Sequence, residues 1–225
     1  MSSIPKPIFL KLFILSAFLI LGCSGKKKID SSSVKKEKQS KVVNSIQLKK
    51  GKYNTIENSS EVLWECMWLG GAKHNGSVNL ISGKLDVREN AEIEGTFIVD
   101  LSSMNCFDLK NEGANKKLIS HLKSDDFFDV KNHPKAFLKL LSAENIGGND
   151  FRFNGELTIK GKTNPIVFQG KVTEHSPQYE ADLYLVFDRS KYDVRYRSAS
   201  LFSDLGDRII ADDVKLNVKV KLQKN

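Results

Sequence analysis

Six stretches of this chain alternate apolar and polar residues with a period of two, and that pattern leaves few folds open. Val62, Trp64, Cys66 and Trp68 form the first row, and Ile93, Gly95, Phe97 and Val99 the second. Phe151, Phe153, Gly155, Leu157 and Ile159 form the third. Ile166, Phe168, Gly170 and Val172 follow across Lys160-Gly161-Lys162-Thr163, a hairpin signal. Tyr179, Ala181, Leu183, Leu185 and Phe187 come next, and Val214, Leu216, Val218, Val220 and Leu222 close the chain. Successive strand residues point to opposite faces, so each row turns one apolar face towards a common interior. Asn75-Gly76, Ser82-Gly83 and Gly147-Gly148 read as turns between the runs. Many antiparallel strands with local connections predict an all-β sandwich or barrel. Aromatics recur on the inward rows with glycines between them. A packed core uses such rows and so does a cavity, in which Gly155 would keep space open.

One stretch breaks the alternation: Leu118 to Phe137, L-I-S-H-L-K-S-D-D-F-F-D-V-K-N-H-P-K-A-F. Leu118, Ile119 and Leu122 share one side of a short helix. Ser124 and Asp125 end that turn and are placed to cap a new one beginning at Asp126. Phe127 and Phe128 share a side only in a tight helical turn. An apolar helical plug in a β domain either closes the mouth of a container or covers one end of a sandwich.

Residues 1–22 read as a signal peptide. Lys6 and Lys11 are its only charges, and Leu12 to Leu21 is an unbroken apolar run of ten, the length of a signal h-region and too short to span a bilayer. The ending Ile20-Leu21-Gly22-Cys23 looks like a lipobox with Ile in the usual Leu position, which makes Cys23 the expected lipidation site. Residues 23–50 read as a disordered tether. Lys26, Lys27, Lys28, Lys35, Lys36, Lys38, Lys41, Lys49 and Lys50 stand against Asp30 and Glu37, with little to bury against the ordering entropy.

Charge follows this division. The whole chain is +8, with 35 Lys+Arg against 27 Asp+Glu. From Tyr53 onward there are 23 basic and 25 acidic residues, a net of −2. The basicity belongs to the leader and tether, so no nucleic-acid partner is expected of the folded part. A basic tether beside a lipid anchor suits an anionic membrane face, and a solvated spacer fits the same composition. Residues 51–225 are enough for one domain with a real core.

Four segments in order resemble the YceI-like family. Asp100-Leu-Ser-Ser-Met followed by Leu118 to Val130, Pro134 and Phe137 looks like its signature region. Gly155-Glu-Leu-Thr-Ile-Lys-Gly-Lys-Thr resembles its central hairpin. Phe187 to Tyr196 and Gly206 to Val214 resemble its last third, and Ser60 to Val78, with Trp64, Lys73, His74 and Gly76, its opening strands. The resemblance covers about Lys52 to Leu222. It implies a single antiparallel lipocalin-like barrel of about eight strands with one or two short helices, a size whose interior admits side chains or one slender ligand. It also implies a long polyisoprenoid held inside. Trp64, Trp68, Phe97, Phe153, Phe168, Leu185 and Phe187 are then the candidate lining residues, and Leu122, Phe127 and Phe128 the candidate lid.

Catalytic chemistry is thin. No pair among His74, His121, His133 and His175 has helical metal-motif spacing, and no cysteine lies near them in sequence, so no metal is expected. His121 is placed to bond Asp125 or Asp126. Cys106 with His121 is the one nucleophile–base pair to name, and neither Gly-x-Ser-x-Gly nor a phosphate-cradling loop occurs. Asp188-Arg189 and Asp212-Asp213 read as strand-end ion pairs and turn residues, with Arg189 able to face an anionic or phenolic head group. With Cys23 lipidated, Cys66 and Cys106 either bridge or remain buried thiols.

The reading is a non-enzymatic, cofactor-free carrier or sequesterer of a long apolar lipid, of polyisoprenoid or isoprenoid-quinone type, anchored at a bacterial cell envelope and facing the periplasm, with surface exposure open. A filled-barrel structural protein of the envelope is the alternative, and a hydrolase or isomerase acting on a lipid a third. Whether two chains pair as a homodimer is open.

Overall fold

The computed structural model describes residues 47–89, 92–202 and 206–225. The stretch read as a signal peptide, the expected lipidation site Cys23 and nearly all of the stretch read as a tether lie outside them.

Nine strands make eight staves. In chain order they are β1 (Gly51–Thr55), β2 (Glu61–Met67), β3 (Lys73–Val87), β4 (Ile93–Cys106), β5 (Lys135–Gly147), β6 (Asp150–Ile159), β7 (Lys162–His175), β8 (Gln178–Asp188) and β9 (Asp213–Lys224). Each pairs antiparallel with the next from β2 to β9. β1 and β2 share one stave: β1 pairs with the far end of β3 and the end of β9, and β2 with the near end of β3 and the start of β9. That shared stave closes the sheet into an up-and-down barrel without an edge. The inward rows are those of the alternation. Phe151, Phe153, Leu157 and Ile159 are all buried on β6, and so are Tyr179, Ala181, Leu185 and Phe187 on β8.

The barrel has two unlike ends. The upper end carries the β3–β4, β5–β6 and β7–β8 hairpins and residues 47–50 that precede β1. The lower end carries the only helix among the described residues, α1 (Glu112–Lys123), between β4 and β5, and the long connection from β8 to β9 with short 3₁₀ turns at Arg189–Tyr192 and Gly206–Arg208.

The structure corrects three local expectations. Asn75-Gly76 and Ser82-Gly83 are not turns; both lie inside the fifteen-residue β3, whose register against β4 shifts twice nearby. Glycine serves close approach there: a Cβ on Gly76 would stand 1.8 Å from the Asn105 carbonyl oxygen, and one on Gly83 2.5 Å from the Phe97 ring. Gly155 likewise admits backbone and does not keep space open, since its Cβ would stand 2.6 Å from the Lys139 carbonyl oxygen. Finally, α1 begins six residues earlier than Leu118. Asn111 caps it, its Oδ1 accepting from the Ala114 N–H at 2.9 Å, with Glu112 in the first turn. Ser124 ends the helix, its hydroxyl donating to the His121 carbonyl at 2.7 Å, and Ser124 to Asn132 turn without starting a new helix.

Lys160-Gly161 does form the expected hairpin turn. Both residues have positive φ, 52° and 71°, the two-residue geometry that matches strand twist.

Candidate binding cavity

The interior is apolar and two-lobed. The upper lobe has a cavity volume of about 120 Å³ and the lower about 110 Å³. Val62, Val99, Ala136, Leu157 and Leu216 line both and form the waist between them. Phe97, Phe153, Phe168 and Leu185 line the upper lobe, and Trp64, Leu122, Phe127, Phe128 and Phe187 the lower. Nine of the ten residues proposed from sequence therefore stand on the cavity wall. Trp68 does not. β2 ends at Met67, and Trp68 makes an isolated bridge to Ile210 with the Arg197 guanidinium 5.6 Å from its ring. Alternation carried past a strand's end loses its meaning, because the backbone has already turned.

Each lobe has its own closure. At the upper end Leu48 reaches the wall of the lobe. At the lower end the turn after α1 folds back on the helix: Phe127 N–H donates to Ser124 O, Phe128 N–H to Leu122 O and Val130 N–H to Lys123 O. This sets Phe127 and Phe128 on the same lobe, which extended backbone would forbid. Phe127 packs against His121 at 4.9 Å and Tyr196 at 5.2 Å between ring centroids. His121 Nε2 lies 3.2 Å from Asp126 Oδ2, the helix-end contact expected of it.

Arg189 forms the floor of the lower lobe and is 2% exposed. Its Nε and two terminal nitrogens donate to the carbonyls of Ala211, Val194 and Ile210 at 2.8–3.1 Å, and Asp212 Oδ1 lies 3.5 Å away. Burial lowers its pKa, against the opposing charges of Asp212, Cys66 and Asp188. Asp188 turns instead to Ser190, accepting from its N–H and hydroxyl. A guanidinium so fully engaged holds the β8–β9 connection against the barrel.

The thiols are free. Cys66 on β2 and Cys106 on β4 flank β3, and two strand spacings of about 4.8 Å exceed the roughly 7 Å that a bridge tolerates between Cα atoms. Burial pushes the Cys66 thiol up to about 11. Cys106 does not partner His121; its Sγ–H donates to Asp108 Oδ1 at 3.2 Å, and His74 Nδ1 lies 2.8 Å from Asp108 Oδ2. Sequence spacing hid this cluster, because β3 and β4 bring together residues more than thirty positions apart.

A closed eight-stave meander around an apolar interior is a lipocalin-like barrel. The chain belongs to the YceI-like domain family, whose model matches residues 53–222. It is similar to the crystal structure of BcnA from Burkholderia cenocepacia, at 21% identity and a TM-score of 0.60, over 74% of this chain and 98% of that one. It is also similar to a polyisoprenoid-binding domain from Saccharophagus degradans implicated in plant cell wall breakdown, at 13% identity and a TM-score of 0.58, over 77% of this chain and 98% of that one. No curated protein matches the chain.

Proposed function

We propose that this barrel binds a long apolar lipid of the polyisoprenoid or isoprenoid-quinone type, and carries or sequesters it at the cell envelope without transforming it. In this reading Cys23 bears the lipid anchor and the tether leads from it to the barrel at a periplasmic membrane face. The observation that carries the proposal is the paired apolar lobes, floored by an arginine that protein carbonyls already occupy. A dry apolar cavity of about 150 Å³ takes up a benzene-sized guest. Each lobe alone therefore suits only a short segment of hydrocarbon, and a long chain has to thread both through the waist. Burial of its surface would contribute about 25 cal/mol per Å². The similarity to a polyisoprenoid-binding domain supports the same ligand class.

The test uses residues 47–225, so that no anchor acyl chain enters the extract. Organic extraction and mass spectrometry should give a species with isoprenoid mass increments, near one per barrel. Ala136→Phe, placed at the waist, should cut occupancy while the domain still melts cooperatively, at an overpacking cost of about 1–3 kcal/mol. A domain from a native-like host that holds no lipid and takes up none when offered would leave the filled-barrel structural protein as the better account. The anchor is tested separately in cells, where Cys23→Ala should abolish fatty-acid labelling and release the protein from membranes.

A further inference from the structure

Three metal-binding side chains meet at the lower end of the β2–β3–β4 seam: His74 near the start of β3, Cys106 at the end of β4 and Asp108 two residues on. Their donor atoms all lie within 4.8 Å of one another, with Asp108 Oδ2 2.8 Å from His74 Nδ1 and Oδ1 3.2 Å from Cys106 Sγ. We propose that this cluster is a binding site for a divalent d-block cation of the Zn²⁺ type, held by the Cys106 thiolate, the His74 imidazole and the Asp108 carboxylate.

The donor set fits that ion. Zn²⁺ takes sulfur at about 2.3 Å and nitrogen or oxygen at about 2.0–2.2 Å, which puts tetrahedral ligand atoms roughly 3.3–3.8 Å apart. Shifts on the order of 1 Å bring the three atoms to those separations. Charge fits as well, since one thiolate and one carboxylate neutralise the cation in a site whose Cys106 is 4% exposed. At present hydrogen bonds join the three side chains through the carboxylate. On binding, the Sγ–H bond breaks and its proton leaves to water, a metal–sulfur bond forms, and the imidazole binds as the tautomer protonated on Nε2. No redox change is involved. Three protein ligands leave a fourth position for solvent, the pattern of an open site.

The ligands are also fixed in place. His74 on β3 pairs with Cys66 on β2, and Cys106 on β4 pairs with Gly76 on β3. The loop after β4 is tied down by Phe107 N–H to Asn75 O at 2.9 Å, and by Asn115 Nδ2, which donates to Cys106 O and Leu109 O. Asn75 N–H donates to Asp108 Oδ1 at 3.0 Å, an outer contact that orients the carboxylate. Sites on paired strands with such support hold their geometry better than sites on free loops.

The experiment uses the full chain with Cys23→Ser, so that Cys66 and Cys106 are the only thiols. Metal-stripped protein is titrated with Co²⁺. The expected result is a thiolate-to-cobalt charge-transfer absorption that saturates at one ion per chain and is bleached by Zn²⁺. Cys106→Ser should abolish it, His74→Gln should weaken binding at least tenfold, about the cost of losing even an outer-shell partner, and Cys66→Ser should leave it in place. Circular dichroism of each variant establishes that the barrel is intact. Zn²⁺ retained after dialysis, measured by elemental mass spectrometry on the parent, gives a readout independent of any variant. No charge-transfer band in the folded parent, or a band lost with Cys66→Ser and kept with Cys106→Ser, overturns the assignment.

Discussion

The backbone N–H of Lys49 donates a 3.0 Å hydrogen bond to the phenol oxygen of Tyr179, fastening the chain to β8 two residues before its first strand begins. The carbonyl of the same residue accepts from the Tyr53 hydroxyl at 2.8 Å, and the two phenol rings meet edge to face at 5.4 Å. Leu48, just before this clasp, is thereby held at the wall of the upper lobe. Removing the acceptor alone should loosen the segment without emptying the core. Tyr179→Phe is expected to cost about 0.5–1.5 kcal/mol, the net value of one hydrogen bond. Urea denaturation should show a lower midpoint at unchanged slope, and exchange of the Lys49 amide should accelerate.

Tyr53 and a second buried tyrosine, Tyr192, set an alkaline limit. Burial, reinforced by Tyr179, pushes Tyr53 up to about 12, and burial with the nearby Asp188 does the same for Tyr192. A phenol whose folded pKa is raised holds its proton while the unfolded chain gives it up. Its contribution to stability is complete below the ordinary value of 10.0 and is lost as pH rises towards about 12. Denaturation midpoints should therefore fall through that window. The double variant Tyr53→Phe, Tyr192→Phe should fall less steeply there, whatever its stability at neutral pH.

Arg189 carries a different kind of load. Val194, Ile210 and Ala211 present carbonyls to it, and the buried Asp212 Oδ1, which has no hydrogen-bond partner, has the guanidinium charge 3.5 Å away. Arg189→Met keeps the length of the side chain and strands all of these acceptors. A loss of about 3–5 kcal/mol is expected, as for one partner removed from a buried pair. Arg189→Lys should rescue only part of it, because a compact ammonium cannot reproduce the planar fork that spans three carbonyls. Chemical denaturation of the three proteins side by side checks both statements.

These sites differ in how far the sequence exposed them. The inward rows on β6, β8 and β9 were legible residue by residue, because a strand with one buried face writes its orientation in alternation. The first half of α1, Glu112 to Lys117, was not legible, since it buries nothing and has no apolar period; its Asn111 cap and Glu112 were the only signals. Glycine misled at positions 76 and 83, where the cue for a turn and the cue for close strand approach are the same residue. Six cavity residues followed from strand parity and Leu122, Phe127 and Phe128 from the helical plug, whereas Trp68 lay just beyond the end of β2. The His74–Cys106–Asp108 cluster and the carbonyl cage of Arg189 depend on which strands become neighbours, and no local pattern encodes that.

Phe128 offers the clearest separation of lid from core. Phe127 is 6% exposed and packs against both His121 and Tyr196, whose rings also touch each other, so Phe127→Ala should cost about 3–5 kcal/mol whether or not a ligand passes it. Phe128 lines the same lobe but is only partly buried, and its truncation leaves the hydrogen-bonded turn from Ser124 to Val130 intact. If the turn after α1 is the door of the lower lobe, Phe128→Ala should raise the dissociation rate of a bound fluorescent polyene severalfold and change its association rate less. The loss of melting temperature should stay well below that of Phe127→Ala. Ligand leaving through the upper end predicts the opposite ranking: Phe128→Ala would release the polyene at the parental rate, and Leu48→Ala, which opens the other lobe, would release it faster.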